Sequence, residues 1–87
     1  MVNAKSTASY NKLLEDGIIS KRQEQVLRVL KLELGQATNR MIAKKLDWDI
    51  NRVTGRVSEL REKGLVEYAG DYYDSATERT VNLWKCK

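Results

Sequence analysis

Two stretches of helically spaced apolar residues, with only residues 47–49 between them, constrain this chain more than any other feature of its sequence. The apolar residues of the first stretch are Ile42, Ala43 and Leu46. Those of the second, which recur three and four positions apart and so share one face of a helix, are Ile50, Val53, Val57 and Leu60. Because so short a link prevents the helices from lying parallel, the pattern predicts two helices that cross.

Residues that typically cap helices mark the ends of both predicted helices. Thr38 and Asp49 are the expected N-caps, since their side-chain oxygens accept hydrogen bonds from the free amides of a first turn. Gly64 stands where a helix ends in the left-handed conformation. The sequence therefore predicts a helix-turn-helix pair over residues 38–46 and 50–63.

The chain before this pair predicts a support helix over residues 20–34. Ser20 followed three residues later by Gln23 fits a capping box, and Gly35 is the expected end. The apolar face of this helix comprises Val26, Leu27, Leu30 and Leu34. Val29 and Leu32 lie off that face, and two interpretations stay open: they cover a short helix over residues 9–16, or they form a homodimer contact. Residues 1–7 are polar and are expected to be loose.

A β-hairpin is predicted after the second helix of the pair. Residues 65–69 and 80–85 are apolar enough for strands, and the latter alternate with the period of a half-buried strand. The polar segment GDYYDSATER between them is expected to be a flexible tip of a hairpin spanning residues 65–85. Residues 36–37 are long enough for one further small strand, and Trp84 is expected to cap the core.

Composition excludes several kinds of site. The chain has 87 residues, a net charge of +4 and one cysteine, and it contains no histidine. The chain therefore lacks the ligands for a zinc site and the histidine for Ser-His or Cys-His catalysis. No paired carboxylates flank a plausible pocket. We expect no enzyme, no cofactor, no metal and no structural role for Cys86. Without an apolar signal segment or a membrane span, the expected location is the cytoplasm.

The run from Thr38 through Trp84 resembles a winged helix-turn-helix domain of the small kind common in bacterial and phage regulators. The segments that carry this resemblance are TNRMIAKKL, INRVTGRVSELREKGLV and the two strands with their loop. The length predicts a single small domain over residues 1–87, and the resemblance implies a fold that is mainly α with a small β wing (α+β). The expected architecture is a three-helix core with a two- or three-stranded antiparallel sheet and a short N-terminal helix. The resemblance also implies a small transcriptional regulator that binds double-stranded DNA, with helix 50–63 in the major groove, acting at the nucleoid or, if phage-encoded, in the host cytoplasm.

Candidate DNA-binding residues follow from the helical wheel and from charge. With the apolar face inward, the residues that point outward are Asn51, Arg52, Gly55, Ser58 and Glu59, and Thr54 and Arg56 lie on the flanks. Asn and Arg match adenine and guanine edges, so Asn51, Arg52, Thr54 and Arg56 are expected to read or approach bases. Expected phosphate contacts are Arg40, Lys44 and Lys45, with Arg61 and Arg79 of second rank. Residues 36–66 carry seven basic against four acidic side chains, so the positive charge is centred on this motif.

Gly55 has two open interpretations. A glycine inside a helix costs about 1 kcal/mol relative to alanine, so its presence needs a reason. Either the missing side chain lets the helix backbone approach DNA closely, or tertiary packing simply tolerates the residue.

The predicted wing supports a competing hypothesis, because its charge is unsuited to DNA. Asp71, Asp74 and Glu78 surround Tyr72 and Tyr73, and phosphates repel acidic groups. The wing tip is then lifted from the duplex or serves a protein partner. The alternative function is therefore a winged-helix protein–protein adaptor that does not bind DNA.

Overall fold

The computed structural model describes residues 10–87, and the segment 1–7 that we expected to be loose lies outside them. The helices are α1 over residues 10–15, α2 over Lys21–Arg28, α3 over Asn39–Leu46 and α4 over Ile50–Glu62. A π-helical segment, Val29–Leu34, continues α2 without a break. The strands are β1 over Gln36–Ala37, β2 over Val66–Asp74 and β3 over Arg79–Cys86. No helix of residues 10–87 is long and apolar enough to cross a membrane.

Side-chain caps begin the helices at the residues that the sequence indicated. Ser20 and Gln23 form the predicted capping box before α2, with the Ser20 hydroxyl accepting from the Gln23 amide at 3.2 Å. Thr38 caps α3 and Asp49 caps α4, each by accepting a backbone N–H of the first turn. Gly64 follows α4 with a φ of +75°, as predicted. These local bonds fix the residue at which each helix begins.

The π-helical segment changes which side chains of the support helix face inward. Its hydrogen bonds run to the fifth residue along, as when the Gly35 amide donates to the Leu30 carbonyl at 2.8 Å. The helix is wider there than the 3.6-residue repeat assumes, and Val29 is buried at 5% exposure beside Leu30. Val29 is thus part of the interior of this chain, whereas Leu32 remains 40% exposed.

The three strands form one antiparallel sheet in the order β1-β3-β2. The prediction that residues 70–79 all lie between the strands was wrong, because β2 extends to Asp74 and β3 begins at Arg79. Only residues 75–78 form the turn. A register shift between Tyr68 and Gly70 marks a β-bulge, beyond which backbone pairing continues although few side chains are buried.

The core lies between α2, α3, α4 and the base of the sheet. Its buried apolar residues are Ile19, Val26, Leu27, Leu30, Ala37, Ile42, Ala43, Val53, Val57, Leu60, Val66 and Trp84. Trp84 is 5% exposed and closes the core on the side of the sheet. This arrangement of helices and sheet is the predicted α+β fold class.

Two expectations about the core were wrong. Ile50 is 44% exposed instead of buried, because it is the first residue of α4 and projects towards the wing beyond the α3–α4 contact. Cys86 has a structural role after all: it packs against the core, and its sulfur accepts a hydrogen bond from the Tyr10 hydroxyl at 3.5 Å. Burial raises the pKa of the Cys86 thiol.

Candidate nucleic-acid interface

The outer face of α4 is polar and open to solvent. Its inner residues, Val53, Val57 and Leu60, are buried in the core. Asn51 and Arg52 in the first turn are exposed, as is Ser58 almost two turns later. Because Asp49 caps the helix through the Asn51 amide at 2.8 Å, the first turn is held by a local bond. Of the residues expected to read bases, Asn51, Arg52 and Thr54 are exposed, whereas Arg56 is half-buried.

Gly55 lies on this outer face, between the exposed side chains. A methyl group in place of its hydrogen would meet no atom of the described residues outside its own helical turn within 4 Å. Packing within the chain therefore does not require glycine here. The conformation does not require it either, since Gly55 is not among the residues with positive φ.

Arg56 forms a fork with Glu59 on the side of α4 that faces α2. The Nε and Nη2 atoms of Arg56 donate to the two carboxylate oxygens of Glu59, each at 2.8 Å. Gln23, from α2, donates through Nε2 to Glu59 Oε1 at 2.7 Å. Glu59 was expected to point outward, and it instead bridges two helices at intermediate burial. The Gln23 and Arg56 hydrogen bonds lower the pKa of Glu59, in that order of size.

Thr54 lies on the opposite flank of α4, where it contacts α3. Its hydroxyl donates to the Ile50 carbonyl at 2.9 Å and accepts from the Asn39 amide group at 3.3 Å. Asn39 was not among the residues predicted from sequence. The only signal for it was its place directly after the N-cap Thr38, at the end of α3 that approaches α4.

The three basic residues expected to contact phosphates all lie on the exposed surface of α3. Lys44 is exposed, and Lys45 pairs with Glu33 of the π-helical segment at 3.1 Å. Arg40 is 57% exposed and lies 3.9 Å from the Asp74 carboxylate of β2. Arg40 thus connects the start of α3 to the far end of the wing.

A cleft of about 540 Å³ separates the wing from the starts of α3 and α4. Its lining includes Asn39, Arg40 and Ile50 on the helical side and Asp74 and Arg79 on the wing side. Arg79 is exposed, so this second-rank phosphate candidate lies on the same side of the molecule as Arg40. The cleft therefore runs along the wing from its far end, and Ile50 in the first turn of α4 forms part of its opposite wall.

Two arginines of α4 lie over tryptophan rings. The Arg52 guanidinium is 5.9 Å from the centre of the Trp48 ring, and that of Arg61 is 4.4 Å from the Trp84 ring. Such cation–π contacts restrain the side chain while leaving its N–H groups available. Arg61 therefore lies against the sheet, apart from Asn51 and Arg52 at the other end of the helix.

The wing carries exposed aromatic residues, one of which is hydrogen-bonded to an acidic side chain. Tyr68, Tyr72 and Tyr73 are 53%, 42% and 59% exposed. The Tyr68 hydroxyl donates to Asp71 at 2.6 Å, which raises the pKa of the Tyr68 phenol. Within residues 10–87, the acidic side chains and Cys86 form no group of three or more that could hold a metal ion.

Comparison with known proteins shows that the fold is similar to those of solved transcriptional regulators. No protein-family model and no curated protein sequence matches the chain. Among solved structures, ZitR of Lactococcus lactis in complex with DNA is 29% identical, with a TM-score of 0.61 over 79% of this chain and 43% of its own. MarR of E. coli in its reduced form is 26% identical, with a TM-score of 0.67 over 100% of this chain and 60% of its own.

A third structure extends the similarity in fold to an archaeal protein. A possible transcriptional regulator from Methanosarcina mazei Go1 is 20% identical, with a TM-score of 0.68 over 85% of this chain. The chain spans 65% of the length of that protein, so all three of these structures include residues without a counterpart here. This similarity in fold, together with the crossed α3–α4 pair and the antiparallel β1-β3-β2 sheet, shows that the chain has the winged helix-turn-helix fold.

Proposed function

We propose that this chain is a sequence-specific double-stranded DNA-binding protein, a small transcriptional regulator that inserts α4 into the major groove. The observation that carries the proposal is the open polar face of α4, with Asn51 and Arg52 exposed in its first turn. That face belongs to a fold shared with ZitR, whose structure was solved in complex with DNA. Asn and Arg side chains supply the paired donors and acceptors that distinguish bases in the major groove.

Phosphate contacts in this proposal come mainly from α3 and secondarily from the wing. Arg40, Lys44 and Lys45 are exposed on α3, and Arg79 is exposed at the start of β3. Contacts of this kind set the position of the protein on the duplex and make binding depend on salt. Arg52 and Arg56 would add base contacts, and Gly55 would let the helix backbone lie close to the groove.

The experiment is a salt-dependent titration of random-sequence duplex DNA into the labelled chain, read by fluorescence anisotropy and by amide chemical shifts. We expect an affinity that falls steeply with salt and shifts that cluster on residues 40–45 and 51–56. The double variant Arg52→Ala, Arg56→Ala should bind more weakly at moderate salt. Its matched control, Lys12→Ala with Lys31→Ala, removes two exposed charges from α1 and the π-helical segment and should bind better than that variant. Equal affinities for the two double variants would contradict the proposal.

A second candidate function is a protein–protein adaptor, and the three exposed wing tyrosines favour it. Exposed tyrosines are common in protein interfaces. The same titration separates the candidates: the adaptor hypothesis predicts no binding to duplex DNA at low salt.

A homodimer is a further proposal, for which Leu32 is the accessible apolar residue of the support helix.

A further inference from the structure

The fork between Arg56 and Glu59 leaves one edge of the guanidinium available. Arginine has five N–H donors in a plane. Nε–H and one N–H of Nη2 are used on Glu59, which leaves the remaining Nη2 donor and both Nη1 donors. The Arg56 side chain is 29% exposed, so part of it reaches the surface of α4. The free edge presents two parallel N–H groups, the arrangement that guanine O6 and N7 accept.

Glu59 is itself held in place from another helix. Gln23 donates to it at 2.7 Å and is only 7% exposed. The Oε1 atom of the same Gln23 side chain accepts a hydrogen bond from the Ser20 backbone N–H at 2.9 Å, which is half of the capping box of α2. A continuous chain of hydrogen bonds therefore runs from the N-terminus of α2 to the Arg56 guanidinium. This chain restricts rotation of Glu59, and Glu59 in turn restricts Arg56.

The net charge of the Arg56–Glu59 pair favours a role in recognising a base over a role in binding a phosphate. An arginine that neutralises phosphates gains from a net positive charge, and an adjacent carboxylate removes that gain. A bidentate contact to a base gains instead from a guanidinium that is already oriented, because less rotamer freedom is lost on binding. Arg52, by contrast, lies over Trp48 and has no carboxylate partner within the part of the chain that the structure describes.

We propose that Glu59 is a positioning residue for sequence recognition, which presents the free edge of Arg56 to a guanine in the major groove. Glu59 does not touch DNA in this proposal; it acts through Arg56 and is held by Gln23. The inference rests on the proposed DNA-binding function and deepens it. It makes Glu59, an acidic residue that repels DNA overall, a determinant of which sequence is preferred.

The test compares two variants that remove one negative charge from the same helix. Glu59→Gln breaks the fork, and Glu62→Gln serves as the control because Glu62 is exposed and forms no ion pair among the described residues. A duplex site is first selected from a randomised pool with the unaltered chain. The ratio of affinities for that site and for random duplex is then measured at one salt concentration.

We expect both variants to bind random duplex more tightly, since each loses a charge that repels phosphates. Glu59→Gln should also lower the affinity ratio about tenfold, within the range that one bidentate arginine–guanine pair contributes. Glu62→Gln should leave the ratio within about twofold of the unaltered value. Equal ratios for the two variants overturn the proposal.

Two further measurements keep the outcome decisive. Arg56→Lys retains the charge but cannot form the fork, so it should lower the ratio without tightening binding to random duplex. In the free protein, the Arg56 Nε–H resonance should exchange slowly with water, and Glu59→Gln should abolish that protection; fast exchange in the unaltered chain overturns the proposal. Absence of salt-dependent DNA binding by the unaltered chain overturns both this inference and the proposed function, whereas binding with unchanged ratios overturns this inference alone.

Discussion

Gly55 is the residue at which folding and the proposed DNA binding favour different side chains. A helix interior favours alanine over glycine, and no described atom outside the local helix stands within 4 Å of an added methyl group. Gly55→Ala should therefore raise the free energy of unfolding by about 1 kcal/mol. The same methyl group would stand between the helix backbone and the groove floor, so DNA affinity should fall. Urea unfolding and anisotropy titration measure the two effects separately.

Ser58→Ala is the matched control for that experiment, because Ser58 is exposed on the same face and gains no bulk on substitution. Its DNA affinity should change less than that of Gly55→Ala. If Gly55→Ala gains stability and keeps full DNA affinity, glycine at this position has no role in close approach, and tolerance by packing is the better explanation.

Glu59 should make stability depend on pH in a predictable direction. Hydrogen bonds from Gln23 and then Arg56 lower its pKa below the ordinary value of 4.5. A carboxylate with a lowered folded-state pKa contributes stability that is fully present above its unfolded-state pKa and is lost as pH falls through the folded-state pKa. The advantage of the unaltered chain over Glu59→Gln in unfolding free energy should therefore shrink below pH 4.5. The side chain is 44% exposed, so solvent screening keeps the effect small.

Urea unfolding at a series of pH values measures this dependence, with Glu62→Gln controlling for the loss of one negative charge. An advantage that stays constant from about pH 6 down to about pH 3 would show that the Gln23 and Arg56 bonds do not favour the charged form of Glu59.

The surroundings of two single residues, Glu59 and Ile50, could not be predicted from the sequence. The helical wheel gave the direction of Glu59 from the α4 axis, but the presence of Gln23 from α2 beside it depends on how two helices pack. Ile50 has the spacing of a core residue, and its exposure follows from its position at the end of α4, past the cover of α3. Periodicity predicts a face of a helix; it does not predict what covers that face.

At the scale of elements, helix ends and the presence of the wing hairpin were predicted well, but the length of its strands was not. Caps are local, since Thr38 and Asp49 bond to amides within three residues and so can be recognised from adjacent sequence. The outer half of β2 has no burial pattern to recognise, because all of residues 70–74 are exposed or half-buried. These residues form a strand because their backbone pairs with that of β3. Such backbone pairing cannot be recognised from the polarity of the side chains.

The bulge in β2 gives an element-scale prediction that contrasts with Gly55. Gly70 has a φ of +124°, a conformation that residues with a side chain rarely adopt, although a methyl group there would meet no described atom within 4 Å. Gly70→Ala should therefore destabilise the wing by about 1–3 kcal/mol through backbone strain alone. Amide hydrogen exchange in β2 and β3 should accelerate, while exchange in α3 and α4 changes little. A Gly70→Ala chain with unchanged exchange in both strands would contradict this account of the bulge.

Considered as a whole, the molecule has its largest excess of positive charge on the helix-turn-helix pair and a small excess of negative charge on the wing. Residues 36–66 carry a net +3 and residues 67–87 a net −1, and this asymmetry was evident from sequence. The contact between the helix-turn-helix pair and the wing could be seen only in the structure. Asp74 is close to Arg40 at 3.9 Å and its side chain is only 14% exposed, so one acid of the wing faces the helices and not the solvent.

The Arg40–Asp74 pair leads to a prediction about the whole DNA-facing surface. Asp74→Asn should remove a negative charge beside Arg40 and release that guanidinium for a phosphate. Affinity for random duplex should rise, and the slope of log affinity against log salt should steepen by about 0.9, the contribution of one additional phosphate contact. The control is Asp71→Asn, which removes a charge from the same strand at an exposed position bonded to Tyr68 and not to Arg40. In the double variant Arg40→Ala, Asp74→Asn the steepening should disappear, because the released cation is gone. Equal slopes for Asp74→Asn and Asp71→Asn would mean that the wing acids act only through overall charge, and that Arg40 gains nothing from its release.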